Sequence, residues 1–197
     1  MLDWLKNKKY PEFWKSYLQK QEEKSERYVT LSLQATGLNP AKDVILSIGA
    51  VGIQNNELRI GDSFEVILLQ YIYNHDNGFS NEFIFESKMP KCIEGEGIEK
   101  LINYLGNAVI IGHRVDFDIE MINKALEKLN CGRIKNEALD LEIMFKKWNE
   151  SSEDKKFSIE EIAKALKVPE IEYESTTEEA YTMGLCFLKL KKYLRIE

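Results

Sequence analysis

The sequence predicts an α/β protein with a mixed β-sheet flanked by helices, plus a helix at the N-terminus. Three segments near the start are rich in β-branched and aromatic residues, as strands are: Tyr28–Gln34, Val44–Ile53 and Glu57–Leu69. Beyond them, helical and strand-like patterns alternate, and the chain ends in helices. Strands followed by an alternation of helix and strand are typical of one sheet that is covered by helices.

The connections and the later elements follow from local signals. Asn55-Asn56 between the second and third strands favours a tight hairpin turn. Ser158-Ile159-Glu160-Glu161 is a capping-box pattern that opens a helix ending before Pro169. The weakly periodic region Tyr71–Glu94 is expected to be a loop. The remaining predictions are a helix over Gly97–Leu105, a strand over Ala108–Ile111, a helix over Asp118–Leu129, a strand over Glu137–Asp140, a helix that continues through Trp148 and a final helix over about Thr177–Leu194.

Residues 1–27 form a separate N-terminal helical extension ahead of the predicted domain, residues 28–197. Within the extension, five apolar residues recur at helical spacing, and charges occupy the other face. A stripe of this kind usually faces the core of its own domain, so docking on that domain is one interpretation, and binding of a protein partner is the other. The five residues are Tyr10, Phe13, Trp14, Tyr17 and Leu18.

Composition limits the classes of function. The 197 residues are 44% hydrophobic and 30% charged, which is ordinary for a globular domain. No apolar run approaches the ~20 residues of a membrane helix, and the start lacks the apolar core of a signal peptide. Three widely spaced cysteines indicate reduced thiols, so we expect a cytoplasmic protein with no membrane partner. The net charge of −6 argues against strong non-specific binding of nucleic acid, but not against an enzyme that holds a short strand end in a cleft.

Two sequence motifs carry more specific information. The first is Leu31–Pro40, LSLQATGLNP, followed by the strand Ile45–Val51, and the second is Ile111–Asp118, IGHRVDFD. Together with Asp140 and with Glu178-Glu179-Ala180 in the final helix, they resemble the DEDD-type, DnaQ-like 3′–5′ exonucleases, the family of the DNA polymerase III ε subunit. The resemblance covers most of the chain after the N-terminal extension and implies a ribonuclease H-like fold.

In that family, the first strand carries two acids as D-x-E, a middle helix carries F-D, and the last helix carries H-x-x-x-x-D. The four acids hold two divalent metal ions, and the histidine is the general base. Two dications about 4 Å apart repel each other by roughly 17 kcal/mol at an effective dielectric of 20, so anionic oxygens are needed around them. On this pattern, the resemblance places Ser32 and Gln34 at the first two acids, Asp118 at the third, Glu179 at the fourth and Glu174 at the histidine.

These replacements predict a degraded active site. Two of the four metal-binding positions are neutral, and Ser32 stands where the family has its bridging ligand. Asp118 and Glu179 remain as candidate metal ligands, and Glu174 as a further catalytic candidate, although glutamate is a much weaker base than histidine. We therefore expect catalysis to be impaired or absent, with Mg²⁺ or Mn²⁺ as cofactor if activity remains and no cofactor otherwise.

The same residues also have structural interpretations. Glu179 fits a capping box formed by Thr176–Glu179, and Asp118 lies in a first helical turn, where the helix dipole favours an acid. His113 is typical of a structural histidine hydrogen-bonded near a strand end. Arg114, where the family often has Asn, could reach a phosphate.

The turn Ala35-Thr36-Gly37-Leu38 lines the terminal-nucleotide pocket in the family. The resemblance therefore makes it a candidate substrate-binding segment, together with His113 and Arg114. Gly37 has an alternative explanation, which is a positive φ required by the turn. Asp140, at the end of the last predicted strand, is expected to cap the helix that follows.

Three functions remain open on the sequence alone. The leading one is an exonuclease-family domain with lost or weakened activity, and the second is a divergent but active metal-dependent 3′–5′ exonuclease. The third is a non-catalytic module that binds the 3′ end of DNA or RNA, or binds a protein through residues 1–27. Metal-dependent release of mononucleotides would identify the second, and salt-dependent binding of strand ends without cleavage would identify the nucleic-acid-binding module.

Overall fold

The computed structural model describes residues 9–70, 88–169 and 172–196. Over these residues, six strands form one sheet. The strands are β1 (Tyr28–Ala35), β2 (Ile45–Gln54), β3 (Glu57–Leu69), β4 (Lys91–Ile93), β5 (Val109–Gly112) and β6 (Ala138–Asp140). Their order across the sheet is β4-β3-β2-β1-β5-β6.

The sheet is mixed. β1 pairs antiparallel with β2, and β2 antiparallel with β3, so the first three strands form a meander. β5 lies parallel to β1, β6 parallel to β5, and β4 parallel to β3. Parallel neighbours need crossover connections, and α3 (Val115–Lys128) supplies the one between β5 and β6. The predicted α/β fold with a mixed, helix-flanked sheet is therefore confirmed.

Six helices pack on the two faces of this sheet in the part of the chain that is described. None of them is long and apolar enough to cross a lipid bilayer. The helices are α1 (Glu12–Lys20), α2 (Glu94–Leu105), α3 (Val115–Lys128), α4 (Leu141–Trp148), α5 (Ile159–Ala165) and α6 (Thr176–Tyr193).

The sheet separates two hydrophobic cores. Val29 and Leu31 of β1 belong to the core that contains the buried residues of α1, α2 and α3. Phe145 and Phe187 belong to the other core, which α4, α5 and α6 fill. Because successive side chains of a strand point to opposite faces, Ser32 lies on the α6 side of β1. This alternation decides which residues of the first motif can reach the final helix.

The N-terminal helix α1 lies against the core of its own chain. Trp14 is 1% and Tyr17 2% exposed, and both pack with buried residues of α2 and α3. The Tyr17 hydroxyl donates to Asn136 Oδ1 at 2.7 Å and accepts from the Lys135 amide at 2.6 Å. The aromatic stripe of α1 is thus in contact with the segment between α3 and β6.

Several element predictions hold in detail. The bounds of β3 are those predicted, and Asn55 and Asn56 have positive φ angles of 54° and 59°, as a two-residue type I′ hairpin turn requires. Ser158 caps α5 in a complete capping box with Glu161. The hairpin turn and the helix cap can therefore be predicted from residues that are neighbours in the chain, without knowledge of tertiary contacts.

The expected loop Tyr71–Glu94 is corrected at its end, and residues 71–87 lie outside the described residues. Lys91–Ile93 is strand β4, and α2 begins at Glu94, three residues before the predicted Gly97. Three residues are too few to show a strand period, and glycines lower helix propensity. A glycine is favoured at position 97 despite its low helix propensity, because α2 lies so close to the sheet there that a Cβ would overlap with the Leu68 side chain.

Gly49 in β2 controls how α6 meets the sheet. It pairs with Ser32 in β1, and a Cβ at Gly49 would overlap with the backbone of Thr176 and Thr177. Thr177 Oγ1 also donates to the Phe64 carbonyl of β3 at 3.3 Å. The first turn of α6 therefore rests directly on the strand backbone, beside Ser32.

Replacing Gly49 by Ala is expected to lower the free energy of unfolding by about 3 kcal/mol, because the added methyl group meets backbone atoms that cannot rotate away. Urea denaturation followed by circular dichroism measures this change. Gly61→Ala is the matched control, since nothing lies within 4 Å of a Cβ at Gly61, and we expect a change within about 0.5 kcal/mol. Equal effects of the two substitutions would contradict the close approach of α6.

Candidate functional site

Ser32 and Glu179 form the centre of the site. The Ser32 hydroxyl donates a hydrogen bond to Glu179 Oε2 at 2.6 Å, joining β1 to the first turn of α6. Ser32 is only 2% exposed and Glu179 is half-buried, so this bond is partly shielded from water. A short hydrogen bond to a carboxylate belongs to the stronger class of protein hydrogen bonds. The structure thus brings together two positions that are 147 residues apart in the sequence.

Asp118 adds a second carboxyl group to this region. It lies in the first turn of α3 and is 7% exposed. Burial raises the pKa of Asp118 well above its ordinary value, and the negative charges of Glu179 and Asp140 raise it further. The direction follows from the cost of placing a charge away from water and beside like charges. Asp118, Glu179 and Asp140 therefore share one electrostatic environment.

Asp140 has a structural role in that environment. Its Oδ1 accepts hydrogen bonds from the amides of Glu142 and Ile143, which caps α4, as predicted. Its Oδ2 accepts from the Val115 amide at the start of α3 at 2.9 Å. One carboxylate thus ties the starts of α3 and α4 to the end of β6, and this tie fixes the position of the turn that carries Asp118.

The capping box at α6 differs from the predicted one by one residue. Ser175 is the N-cap, and its side chain accepts from the Glu178 amide, while Glu178 Oε2 accepts from the Ser175 and Glu174 amides. The prediction that Glu179 caps the helix was wrong. Glu178 takes that role, which leaves the carboxylate of Glu179 directed to Ser32. Glu174 lies on the exposed segment before α6 and is not hydrogen-bonded to the Ser32–Glu179 pair among the described residues.

His113 and Arg114 lie at the junction of β5 and α3. A ring nitrogen of His113, Nε2, is 2.8 Å from the Phe157 carbonyl oxygen, the kind of structural contact that the sequence predicted. Arg114 Nε donates to Glu142 Oε2 at 3.2 Å, and Glu142 Oε1 accepts from the Phe157 amide at 2.8 Å. Glu142 therefore links Arg114 to the segment before α5. Sequence reasoning missed it, because an acid in a first helical turn carries no distinctive signal.

The turn after β1 is organised by a carboxylate that the sequence analysis also missed. Asp43 accepts from the Thr36 hydroxyl at 2.8 Å and from the Asn39 amide at 2.8 Å. Gly37 does not have a positive φ, so that explanation was wrong. Instead, a Cβ at Gly37 would lie 2.7 Å from Asp43 Oδ2, so the close approach of the carboxylate requires the glycine. Leu38, at the tip, is 88% exposed.

The remaining residues of the first motif differ in accessibility. Gln34 is exposed on the same side of β1 as Ser32, whereas Ala35 ends the strand and is half-buried. An exposed amide beside a buried hydroxyl offers hydrogen-bond donors and acceptors to a ligand, but no charge. The polar surface of the site is therefore less anionic than the family pattern.

The donor set does not fit a two-metal centre. Two dications bring four positive charges, and of the four family positions only Asp118 and Glu179 carry carboxylates. Glu179 is engaged with the Ser32 hydroxyl, and the charged form of Asp118 is disfavoured by its burial. No group of three or more His, Cys, Asp or Glu side chains within residues 9–70, 88–169 and 172–196 is arranged to hold a metal ion.

Comparison with known proteins defines the class. The RNase T family model, described as an exonuclease, matches residues 34–173, which include Asp118 but neither Ser32 nor Glu179. The DNA polymerase III PolC-type of Caldanaerobacter subterraneus subsp. tengcongensis is 24% identical over 174 residues, 85% of this chain and 12% of the polymerase. The chain thus spans about an eighth of the length of that relative.

Solved structures have the same fold. E. coli exonuclease I in complex with a dT13 oligonucleotide has a TM-score of 0.61 at 14% identity, over 87% of this chain and 42% of that one. Exonuclease X in complex with 5′ overhanging duplex DNA has a TM-score of 0.58 at 12% identity, over 84% and 91%. The chain belongs to the DnaQ-like 3′–5′ exonuclease family and has a ribonuclease H-like fold.

The raised pKa of Asp118 predicts a pH-dependent stability. Because this pKa is higher in the folded than in the unfolded chain, stability falls as the pH rises above the unfolded value. Asp118→Asn removes the buried charge, so near pH 7.5 it should stabilise the protein by more than the roughly 0.5 kcal/mol of ordinary surface substitutions. Urea denaturation at several pH values measures the difference, which should shrink towards about pH 4.

Asp116→Asn is the matched control for this substitution. Asp116 lies in the same helical turn and is exposed, so the change should have a small effect that varies little with pH. If Asp118→Asn destabilised the protein near neutral pH, or shifted stability equally at all pH values, the electrostatic description of the site would be incorrect.

Proposed function

We propose that this chain is an exonuclease-family domain in which hydrolysis is lost or strongly reduced, while binding of a single-stranded nucleic-acid end is retained. The observation that carries the proposal is the 2.6 Å hydrogen bond from Ser32 to Glu179. By the family resemblance, Ser32 stands where other members have a carboxylate that bridges two metal ions. A hydroxyl group that donates to the neighbouring acid cannot supply that negative charge.

The charges of the site support the loss of hydrolysis. Metal-assisted hydrolysis needs ligands that offset the repulsion between two dications and lower the pKa of a bound water molecule. Asp118 and Glu179 supply at most two negative charges, and an exposed glutamate, Glu174, stands at the position of the general base. Glutamate accepts a proton near neutral pH much less readily than histidine does.

The architecture around the turn supports the retained binding. Asp43 holds the turn through Thr36. Leu38 is largely uncovered by the residues that the structure describes, so its apolar side chain is available to pack on a base. Exonuclease I and exonuclease X, which share the fold, were each solved with bound DNA. With a net charge of −6, binding should be local to this site and weakened by salt. The three cysteines are free thiols, which suits a reducing compartment such as the cytoplasm.

The retained pair Asp118 and Glu179 is the observation in favour of a second candidate, a divergent exonuclease that uses Mg²⁺ or Mn²⁺. Both carboxyl groups still share one electrostatic environment. An assay of 3′-end degradation on single-stranded DNA and RNA, with either metal, separates the two candidates.

We expect wild-type protein to release no mononucleotides above the level of a metal-free control. Restoring the family residues by Ser32→Asp, Gln34→Glu and Glu174→His should produce metal-dependent release, because four carboxylates and a base are then present. The restored variant should also be destabilised without metal, since acids are crowded together, and its Tm should rise when Mn²⁺ is added.

The decisive control is Asp118→Ala in the wild-type background. Wild-type cleavage that chelator abolishes and that Asp118→Ala removes would contradict the proposal and identify the divergent exonuclease. Circular dichroism of each variant checks that a protein without nuclease activity is nevertheless folded.

The exposed Leu38 gives a prediction for binding. Leu38→Ala should weaken binding of a fluorescein-labelled single-stranded oligonucleotide about tenfold, because roughly 1–2 kcal/mol of apolar contact is removed. Ile60→Ala is the matched control, since Ile60 is another exposed aliphatic residue, 74% exposed, on β3. Fluorescence anisotropy measures both, and equal affinities of the two variants would contradict a role for the turn.

A further inference from the structure

Arg114 has an unusual backbone conformation and takes no part in the hydrogen bond between Ser32 and Glu179. It is the residue before α3 and adopts the left-handed region, with φ 58° and ψ 46°, which is uncommon for a residue other than glycine. Asp118 follows four residues later, about 6 Å along the helix axis at 1.5 Å per residue. The Arg114 side chain therefore starts one helical turn from the buried carboxyl group of the site.

A buried acid fixes the direction of this side chain. Arg114 Nε donates to Glu142 Oε2 at 3.2 Å, and the Glu142 side chain is 8% exposed, whereas that of Arg114 is 53% exposed. The inner edge of the guanidinium group is thus anchored in the protein, and the outer edge faces solvent. The N–H groups of Nη1 and Nη2 have no hydrogen-bond acceptor in the part of the chain that the structure describes.

Arg114 is not the only group that offsets the negative charge of the Glu142 carboxylate. Its Oε1 accepts from the Phe157 amide at 2.8 Å and lies 3.4 Å from Lys146 Nζ. Lys146 thus already supplies one positive charge to this single carboxylate. The carboxylate of Glu142 is therefore already neutralised by Lys146, so the positive charge of Arg114 remains available to a ligand. Glu142 holds this charge in place facing solvent.

We infer that Arg114, held by Glu142 one helical turn from Asp118, binds a backbone phosphate of a single-stranded nucleic acid without a metal ion. The inference rests on the proposed function and specifies how the strand is held. A planar guanidinium group with one anchored edge offers two parallel N–H donors to the oxygens of a phosphate. The outward-facing part of the guanidinium group also supplies a positive charge to the phosphate, so this contact needs no metal ion.

The experiment measures binding of a 5′-fluorescein-labelled deoxythymidine oligonucleotide by fluorescence anisotropy, in EDTA, at several salt concentrations. Wild-type protein should bind, and Arg114→Gln should weaken binding about tenfold at low salt, as expected for one charge-assisted hydrogen-bonded contact. The slope of log K against log salt should decrease in magnitude by about 0.7, the value for one phosphate contact on a single strand. Compared with Arg114→Gln, Arg114→Lys should restore the salt dependence of binding more fully than the affinity. Lysine keeps the positive charge but lacks the two-donor geometry of the guanidinium group.

Arg133→Gln is the matched control. Arg133 also pairs with a glutamate, Glu120, is 66% exposed and carries the same charge, so its replacement makes the same change in net charge at a pair outside the site. An Arg114→Gln variant that binds and responds to salt as Arg133→Gln does would overturn the inference while leaving the proposed function in place. A wild-type protein that binds no oligonucleotide in EDTA would overturn both. Thermal unfolding by circular dichroism establishes that each variant is folded.

Glu142 is a positioning residue in this scheme, and a double-mutant cycle tests that role. Glu142→Gln should weaken binding several-fold in the wild-type background, because the guanidinium group loses its charged anchor. In the Arg114→Gln background, the same substitution should change binding by less than about twofold, since there is no guanidinium group left to position. Equal effects in the two backgrounds would show that Glu142 does not act through Arg114.

Discussion

The close approach of α6 to β2 at Gly49 is the constraint on which the site depends. With no side chain at this position, the backbone of Thr176 and Thr177 lies directly on the strand. The first turn of α6 is then fixed over β1, and residue 179 meets residue 32 whatever their chemistry. The meeting of residues 32 and 179 is therefore set by backbone packing, and their side chains decide what kind of contact forms there.

The change in side chains alters the energetics of that geometry. Carboxylates crowded into one site repel each other and need cations to hold them together. With Ser32 in place of an acid, the contact with Glu179 becomes a hydrogen bond in which one partner donates, so this pair is stabilising without a metal ion. Asp118 keeps the penalty of a buried carboxyl group beside other acids. The site therefore combines one stabilising contact, between Ser32 and Glu179, with one destabilised carboxyl group, that of Asp118.

Much of the fold could be predicted from the sequence, because the deciding signals are local. The Asn55-Asn56 turn, the Ser158 cap and the long strands each depend on residues that are neighbours in the chain. Strand β4 could not be predicted, since Lys91–Ile93 is too short to show a period and becomes a strand only by pairing with β3.

The site was predictable where it follows the family motif and unpredictable where it depends on tertiary contacts. The family resemblance predicted that Ser32, Asp118 and Glu179 lie in one region, and the structure brings these three residues together. The capping residue of α6 was misassigned, because Ser175 and Thr176 are both competent N-caps, and the tertiary partner of Glu179 decides between them. Asp43 and Glu142 were missed, since each is an ordinary surface-type acid in sequence and becomes important only through contacts with distant backbone amides and side chains.

Glu142 also shows how an acidic protein can hold a cation in a defined place. A lone arginine on a surface keeps many rotamers, and ordering it opposes binding. An acid that is buried and hydrogen-bonded by a backbone amide is fixed before any ligand arrives, and an arginine paired with it loses that freedom in advance. The acid must not cancel the arginine's charge, which is why the second cation, Lys146, matters: it shares the carboxylate and leaves the guanidinium group with charge to offer. With a net charge of −6, the chain has no general attraction for phosphate. Affinity for a strand would then have to come from such fixed local cations, so it should be modest and confined to one site.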